Sequence, residues 1–341
     1  MVVIYILLAI LILGVLIFVH ELGHFLFAKR FRVPVETFAL GFGPSLVSFK
    51  RKETTYRLNI FPLGGYAKIG GMDLGEEGLA HGYYQQSWWR RFLIIAGGVL
   101  FNLIFAWLLV LIITFFVQVP LNPNVIGSLE PQYPAAEAGI RVGDQVVSIN
   151  GLPVQSYDEM RQILEEQGQG GKSMVMGLLR DGQSQQVTVV PTYATDAKRW
   201  IIGVTPRSET IGFWQAFPQS FVRFWDLIAL VFTSLGMLFS GQASISDLAG
   251  PVGIINYTAQ VAQTNILSFL TFVAFLSVNL GVLNFLPIPA FDGARLLFLM
   301  IEGITRRRVN RRVEETIHTI GFILVLGLFL YITWNDIRRL F

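Results

Sequence analysis

Three ionisable residues, His20, Glu21 and His24, stand near the end of an apolar run that begins at residue 2. They belong to the pentapeptide HELGH, which fits the pattern H-E-x-x-H. On a helix the two histidines lie one turn apart on one face, so both imidazoles can reach one Zn²⁺, while Glu21 beside them can accept a proton from water. A polar cluster without a metal is the weaker alternative, because ionisable groups in hydrocarbon are costly. The sequence predicts His20 and His24 as zinc ligands and Glu21 as the catalytic base.

A catalytic zinc usually has three protein ligands, so a third must come from elsewhere in the chain. The remaining histidines, His81 and His318, belong to no metal-ligand pattern. A carboxylate is the better candidate, and Asp292 follows an apolar helix that two prolines break, in the segment NFLPIPAFDGAR. The alternative for Asp292 is a helix cap or a turn residue before a glycine. Asn284, at the start of the same segment, offers an amide that could hold a substrate backbone.

The composition indicates that these residues belong to a membrane protein. Of 341 residues, 53% are hydrophobic and 14% are charged, which is too apolar for a soluble domain of this length. Cysteine is absent, which excludes disulfides and thiolate ligands. No basic stripe with interleaved aromatic residues is present, so we expect no nucleic-acid partner. Four stretches approach the length that crosses a bilayer: residues 2–27, 92–117, 266–286 and 317–334.

The distribution of positive charge predicts the orientation. Of the 26 lysines and arginines, ten lie between the first and second stretches and six between the third and fourth. Short loops rich in positive charge stay in the cytoplasm, so we expect the amino terminus and residues 118–265 to face outward. Residues 213–240 complicate this count. They are long and apolar enough for a fifth crossing, but Arg223 and Asp226 interrupt them, which favours an amphipathic helix lying on the outer surface.

The two interpretations of residues 213–240 place the third ligand differently. If that helix lies on the surface, Asp292 follows the cytoplasmic end of the third span and can reach the depth of His20 and His24. If it crosses, Asp292 ends on the opposite side of the membrane. The metal argument and the charge distribution therefore favour the same topology, with four spans.

Residues 124–206 have the composition of a globular domain. The segment PAAEAGIRVGDQVVSINGLPV has glycines as turn points around an alternating strand at 146–149, and a helical pattern follows at 157–166. Residues 173–190 predict two strands joined by a turn at Asp181 and Gly182. The stretch resembles the PDZ signature, and such domains bind an extended peptide at a sheet edge. A domain that only spaces or shields the membrane part is the alternative.

Residues 36–72, between the first two spans, predict a β-hairpin. Strand patterns at 45–49 and 55–61 flank the charged turn KRKE, and glycines are frequent. An edge strand there could pair with an unwound substrate and hold it extended beside the metal. We predict that Tyr56, Leu58 and Ile60 contact substrate in this way. A plain loop is the alternative.

Taken together, the motifs resemble the site-2 protease family, in particular its bacterial zinc metalloproteases with one inserted PDZ domain. The shared features are the HExxH helix, the pattern N-x-x-P-x-P-x-x-D-G, the PDZ-like domain between them and the segment GPVGI. The resemblance implies His20, His24 and Asp292 as zinc ligands, Glu21 as the base and Asn284 near the bound substrate. Two residues depart from the usual pattern, because Phe291 stands where leucine is more frequent and Ala294 where a second glycine is frequent.

The expected fold is an α-helical membrane protein with four transmembrane helices, a membrane-associated β-hairpin on the cytoplasmic side and one extracytoplasmic, mostly β, PDZ-like domain. Its parts are residues 1–117 and 250–341 as the membrane core, with the hairpin, the PDZ-like domain and the amphipathic helix as given above. The resemblance implies a bacterial inner-membrane location and intramembrane proteolysis of pre-trimmed single-span proteins, such as anti-sigma factors and remnant signal peptides. It leaves the oligomeric state open.

Two other functions are compatible with parts of the sequence. One is a catalytically silent membrane scaffold with a peptide-binding PDZ domain and a structural metal. A structural zinc has four protein ligands, and only three good candidates are visible. The other is a metal transporter, which would need ionisable residues in several spans, whereas the second span has almost none.

Overall fold

The computed structural model describes residues 2–73, 75–76, 78–120, 124–195, 199–244 and 249–339. The chain divides into two compact units. The first, called here the helical unit, comprises Met1–Ile113 and Phe217–Phe341, and the second, called the inserted unit, comprises Thr114–Ala216.

Helices dominate the described residues. They are α1 (Val2–Arg30), α2 (Trp88–Phe116), α3 (Pro134–Glu137), α4 (Tyr157–Gln167), α5 (Phe213–Phe239), α6 (Pro251–Val261), α7 (Ile266–Phe285), α8 (Asp292–Thr305) and α9 (Arg311–Arg338). The strands are β1 (Val35–Arg51), β2 (Thr54–Ile69), β3 (Gln118–Pro120), β4 (Ile126–Leu129), β5 (Gln145–Ile149), β6 (Leu152–Pro153), β7 (Met174–Arg180), β8 (Gln183–Val189), β9 (Thr192–Ala194), β10 (Arg199–Ile201), β11 (Val204–Pro206) and β12 (Ser208–Thr210).

Five of the described helices, α1, α2, α5, α7 and α9, are long and apolar enough to cross a membrane. The sequence predicts four crossings, and the additional candidate is α5. One side of α5 packs on the helical unit, where Trp107 of α2 donates a hydrogen bond to Ser220 (3.1 Å) and Val231 joins an apolar cluster with α2 and α7. Trp214 and Trp225 are exposed. The length and packing of α5 are compatible with a helix that crosses the membrane and with one that lies on its outer surface. The surface position of α5 therefore stays a prediction.

Small residues allow α1 and α2 to approach closely. A side chain at Gly97 would meet the Gly23 carbonyl oxygen at 2.7 Å, and a side chain at Gly23 would overlap the Gly97 carbonyl. Helices in a membrane lack a hydrophobic driving force between them, and close backbone approach through glycine increases their van der Waals contact. A buried ion pair between Arg91 and Glu302 ties α2 to α8. Through these contacts α2 packs directly against the end of α1 and is tied to α8.

The segment 35–69 forms a sheet of four paired segments instead of a simple two-stranded hairpin. Residues 45–51 pair with 54–59, as predicted, but residues 37–40 also pair with 55–58 and, on their other side, with 65–68. Glycines at 41 and 43, both with positive φ, allow β1 to fold back on itself. The order of segments is therefore 45–51, 54–59, 37–40 and 65–69. The last of these leaves one edge unpaired in the described sheet.

The inserted unit contains the elements that its sequence predicts. The strands β6, β5, β7 and β8 form a four-stranded antiparallel sheet, and α4 covers an apolar core that includes Ile149, Met160 and Met176. The β7–β8 turn falls at Asp181 and Gly182, which have φ of 48° and 80°. Positive φ at both central residues is the requirement that makes Asp-Gly favourable in a two-residue hairpin.

The GPVGI segment begins α6, and a carboxylate from α9 stabilises that beginning. Buried Asp336 accepts hydrogen bonds from the backbone N–H groups of Gly250 (3.2 Å) and Gly253 (2.8 Å). The first N–H groups of a helix have no partner within it, and its amino end favours negative charge. Asp336 therefore fixes α6 against α9.

Candidate metal centre

The HELGH residues lie in the last part of α1, where the helical period places His20 and His24 on one face. Both residues are 7% exposed, and their Nε2 atoms are 3.2 Å apart. The Asp292 Oδ2 atom lies 3.0 Å from His20 Nε2 and 3.2 Å from His24 Nε2. Within the described residues, this is the group of histidine and carboxylate side chains placed to hold a metal ion. The structure thus brings together the three residues predicted as ligands.

A braced loop positions Asp292 as the first residue of α8. Ala290 has a φ of 84°, and its N–H donates to His318 Nδ1 over 3.3 Å. A side chain at Gly321 of α9 would meet the Pro289 carbonyl carbon at 2.7 Å, so α9 packs directly against the loop. A side chain at Gly293 would overlap the carbonyl oxygen of Leu286. Close backbone packing therefore requires a glycine at position 293, directly after the candidate ligand Asp292.

The protonation pattern of the donors fits a zinc ion. His24 Nδ1 donates to the Ile94 carbonyl oxygen at 2.8 Å, so a neutral His24 presents only a lone pair at Nε2. Asp292 Oδ2 is buried and accepts no directed hydrogen bond from the described residues. Lone pairs facing a carboxylate repel unless a cation lies between them. Donors of a tetrahedral zinc at about 2.0–2.1 Å are roughly 3.3 Å from one another, close to the observed triangle.

The general-base candidate Glu21 lies beside this triangle. Its Oε2 atom accepts a hydrogen bond from the Ala67 backbone N–H at 3.0 Å, so the sheet orients the carboxylate. Glu21 and the three donors line a cavity of about 460 Å³. Asn284 of α7 lines the same cavity, as do residues 66–69 of β2. A peptide segment in this cavity would lie next to the metal donors, the carboxylate and a sheet edge.

The predicted substrate contacts on the hairpin lie elsewhere in the sheet. Tyr56 packs against Phe25 and Phe49, and none of Tyr56, Leu58 and Ile60 lines the metal cavity. Residues 54–59 are paired on both sides, so they are not the edge strand that the sequence predicts. The reason is that β1 folds back on itself. Residues 37–40 therefore pair with the side of 54–59 that would otherwise be free. The available edge beside the cavity is 65–69, while the side chains of Leu58 and Ile60 remain exposed.

The inserted unit has a separate cavity of about 620 Å³ between α4 and residues 199–205. Tyr157 Oη donates to the Val204 carbonyl oxygen (2.7 Å) and the Trp200 N–H donates to Glu165 (3.1 Å), so side chains of α4 already engage the backbone that borders this cavity. It contains no cluster of metal-binding residues among those described.

A buried ion pair supports the sheet of the inserted unit. Arg180 Nε and Nη2 each donate to Asp144 at 2.7 Å, and these bonds hold the pKa of the Asp144 carboxyl below its usual range.

The donor triangle, the adjacent glutamate and the apolar helices that carry them define a membrane zinc metalloprotease. The sequence profile described as peptidase family M50 matches residues 8–328, and the chain belongs to this family. Family membership favours the enzyme over a silent scaffold or a transporter.

Named relatives agree with this assignment over almost the whole chain. The "Regulator of sigma-W protease RasP" of Bacillus subtilis is 31% identical over an alignment of 416 positions, gaps included, which covers 97% of this chain and 98% of the relative. The "Zinc metalloprotease RasP" of Geobacillus kaustophilus is 31% identical over 414, covering 97% of each. A solved PDZ domain of an SdrC-like protein from Listeria monocytogenes is 20% identical, covers 26% of this chain and 93% of that one, and gives a TM-score of 0.23. At that score, the PDZ-like fold of residues 124–206 stays a prediction.

Proposed function

We propose that the protein hydrolyses peptide bonds within transmembrane segments of other proteins, with His20, His24 and Asp292 as its zinc ligands. The observation that carries the proposal is the triangle of donor atoms, with sides of 3.0–3.2 Å, that opens on a cavity beside Glu21. Zinc bound there would supply a Lewis acid for the scissile carbonyl and for the attacking water.

The chain's own residues handle the proton and the substrate. Glu21 takes the proton from the attacking water and passes it to the nitrogen of the leaving amine. The Ala67 N–H holds one oxygen of Glu21, which keeps the carboxylate directed into the cavity. Asn284 lines the cavity and offers both a donor and an acceptor to the substrate backbone near the scissile bond.

A substrate helix must unwind before it can react, because its amides are occupied by intrahelical hydrogen bonds. The unpaired edge at 65–69 is suited to hold the unwound segment as an added strand beside Glu21. We retain Tyr56, Leu58 and Ile60 as predicted contacts, made through side chains rather than through a strand edge. The side chains of Leu58 and Ile60 are 41% and 46% exposed, which supports contact with an apolar partner.

We further propose that the substrates are single-span membrane proteins whose outward domains have already been trimmed, including anti-sigma factors and remnant signal peptides. The name of the Bacillus subtilis relative, which refers to sigma-W, supports this class. The positive charge of the loops supports an inner-membrane orientation with residues 124–206 outside and α5 along the outer surface. In this arrangement the inserted unit either excludes untrimmed substrates by size or binds the chain ends that trimming creates.

The test is Glu21→Gln in the purified protein, assayed with a helical membrane substrate in lipid vesicles. We expect bound zinc to be retained and cleavage to fall by about 10²–10⁴-fold, because the amide cannot act as a base. Glu315→Gln, at an exposed position of α9, serves as the matched control and keeps full activity. His20→Ala and Asp292→Asn are expected to lose zinc. Cleavage by Glu21→Gln at the normal rate would overturn the mechanism.

A further inference from the structure

A fully buried amide stands behind one of the zinc ligands. Asn102, in the middle of α2, has 0% of its surface exposed. Its Nδ2 atom lies 3.3 Å from His20 Nδ1, while its Oδ1 atom is buried without a hydrogen-bond partner. A buried polar atom without a partner is destabilising, so a polar amide inside an apolar span is expected to serve a function.

The required protonation of His20 determines which way this amide points. His20 Nε2 faces Asp292 and His24, so it must present a bare lone pair to the metal. A neutral imidazole then carries its proton on Nδ1, which cannot accept a bond from the NH₂ group of Asn102. The oxygen and nitrogen of an amide are assigned from their hydrogen bonds, so the side chain can be turned by half a rotation. In the turned position Oδ1 accepts the His20 Nδ1–H and is no longer without a partner.

We propose that Asn102 is a positioning residue that accepts a hydrogen bond from His20 Nδ1 and thereby selects the tautomer and ring orientation that bind zinc. The inference rests on the ligand set proposed above. Such outer partners of metal-binding histidines typically contribute 10–100-fold to metal affinity.

The neighbouring positions on α2 have related roles. Ile94, Gly98 and Asn102 are spaced at i, i+4 and i+8, so they lie along one face of the helix. The Ile94 carbonyl accepts the His24 Nδ1–H, and Gly98 leaves room for both imidazoles. Ser277 of α7 donates to the Asn102 carbonyl oxygen at 2.8 Å and fixes the helix at that level. One face of α2 thus orients both histidine ligands without contributing a ligand itself.

The experiment compares Asn102→Leu and Asn102→Asp in the full-length protein in detergent. Zinc affinity is measured by competition with a chromophoric chelator, and site geometry by the visible absorption of the Co²⁺-substituted protein. We expect Asn102→Leu to weaken zinc binding by about 10–100-fold and to alter the Co²⁺ spectrum, because the acceptor is lost. Asn102→Asp keeps an acceptor at the same position, so its affinity and spectrum remain near those of the unaltered protein.

Asn279→Leu is the matched control. Among the described residues, the Asn279 side chain donates to the Phe275 carbonyl of its own helix, so we expect zinc affinity to stay unchanged. If Asn102→Leu does not fold, as judged by circular dichroism and size exclusion, Asn102→Ala replaces it. Unchanged zinc affinity in the variant without an acceptor would overturn the proposal, as would equal weakening in Asn102→Asp, since a carboxylate cannot replace an amide donor. His20→Ala separates the two levels of inference: if it binds zinc normally, the ligand set itself is wrong.

Discussion

Adding a single methyl group at Gly98 is expected to disrupt the metal centre from the second helix. The new Cβ of Gly98→Ala would lie 2.7 Å from His20 Cε1 and 2.8 Å from His20 Nε2, and closer still to His24 Nε2. Ordinary van der Waals contact begins near 3.4 Å, so His20 Nε2 must move by about 0.6 Å. Metal–ligand distances are tolerated within roughly 0.2 Å. The required displacement is about three times that tolerance, and we expect zinc affinity to fall by at least about 100-fold.

The assay is zinc affinity by chelator competition on the purified variant, together with zinc content by elemental analysis. Gly327→Ala is the matched control, because a Cβ there has no neighbour within 4 Å on the spanning helix α9. Alanine has the higher helix propensity, by up to about 1 kcal/mol, so neither substitution weakens its helix intrinsically. A Gly98→Ala protein that binds one zinc as tightly as the control would refute the close packing of α2 against the imidazoles.

Three further substitutions test other parts of the structure. Ala67→Pro removes the N–H that orients Glu21, so we expect cleavage to slow by about 10²-fold while zinc content stays unchanged. Cleavage at the normal rate would show that the Ala67 N–H does not orient Glu21. Asp336→Ala leaves two N–H groups at the start of α6 unpaired, so we expect the free energy of unfolding to fall by about 2 kcal/mol. Denaturant titration in detergent measures this change, and an unchanged midpoint would contradict it. Because the pKa of Asp144 is lowered in the folded state, its contribution to stability is present above pH 4 or so and is lost at lower pH. Arg180→Met should remove that dependence, as followed by hydrogen exchange of the inserted unit between pH 3 and 7, and an identical pH profile would count against the ion pair.

The parts of the site that local rules determine could be predicted from the sequence. His20 and His24 share a helix face because of the 3.6-residue period, and the Asp-Gly turn of the inserted unit follows from the φ values that it needs. Asp292 was a weaker prediction from residues alone, since an aspartate before glycine also suits a turn. Its approach to the imidazoles depends on α9, which braces the loop through Gly321 and His318.

The remaining features depend on contacts between segments distant in sequence. Glycines at 41 and 43 signalled turns, but no local rule shows that 37–40 would fold back to occupy the edge of 54–59. The sequence did not predict a role for Asn102, because its side chain is an amide and not an ionisable group. A buried amide in an otherwise apolar helix was the available signal, and its meaning required knowing that α2 lies against His20. Arg223 and Asp226 likewise interrupt α5 without deciding whether it lies along the membrane or crosses it.

The distance in sequence between His24 and Asp292 has a consequence for the protein's biogenesis. The imidazoles leave the ribosome about 270 residues before the carboxylate, an interval on the order of 15–50 s at ordinary translation rates. The loop that holds the carboxylate is stabilised only when Gly321 arrives later still. The proposed zinc site is therefore incomplete until most of the chain has been synthesised.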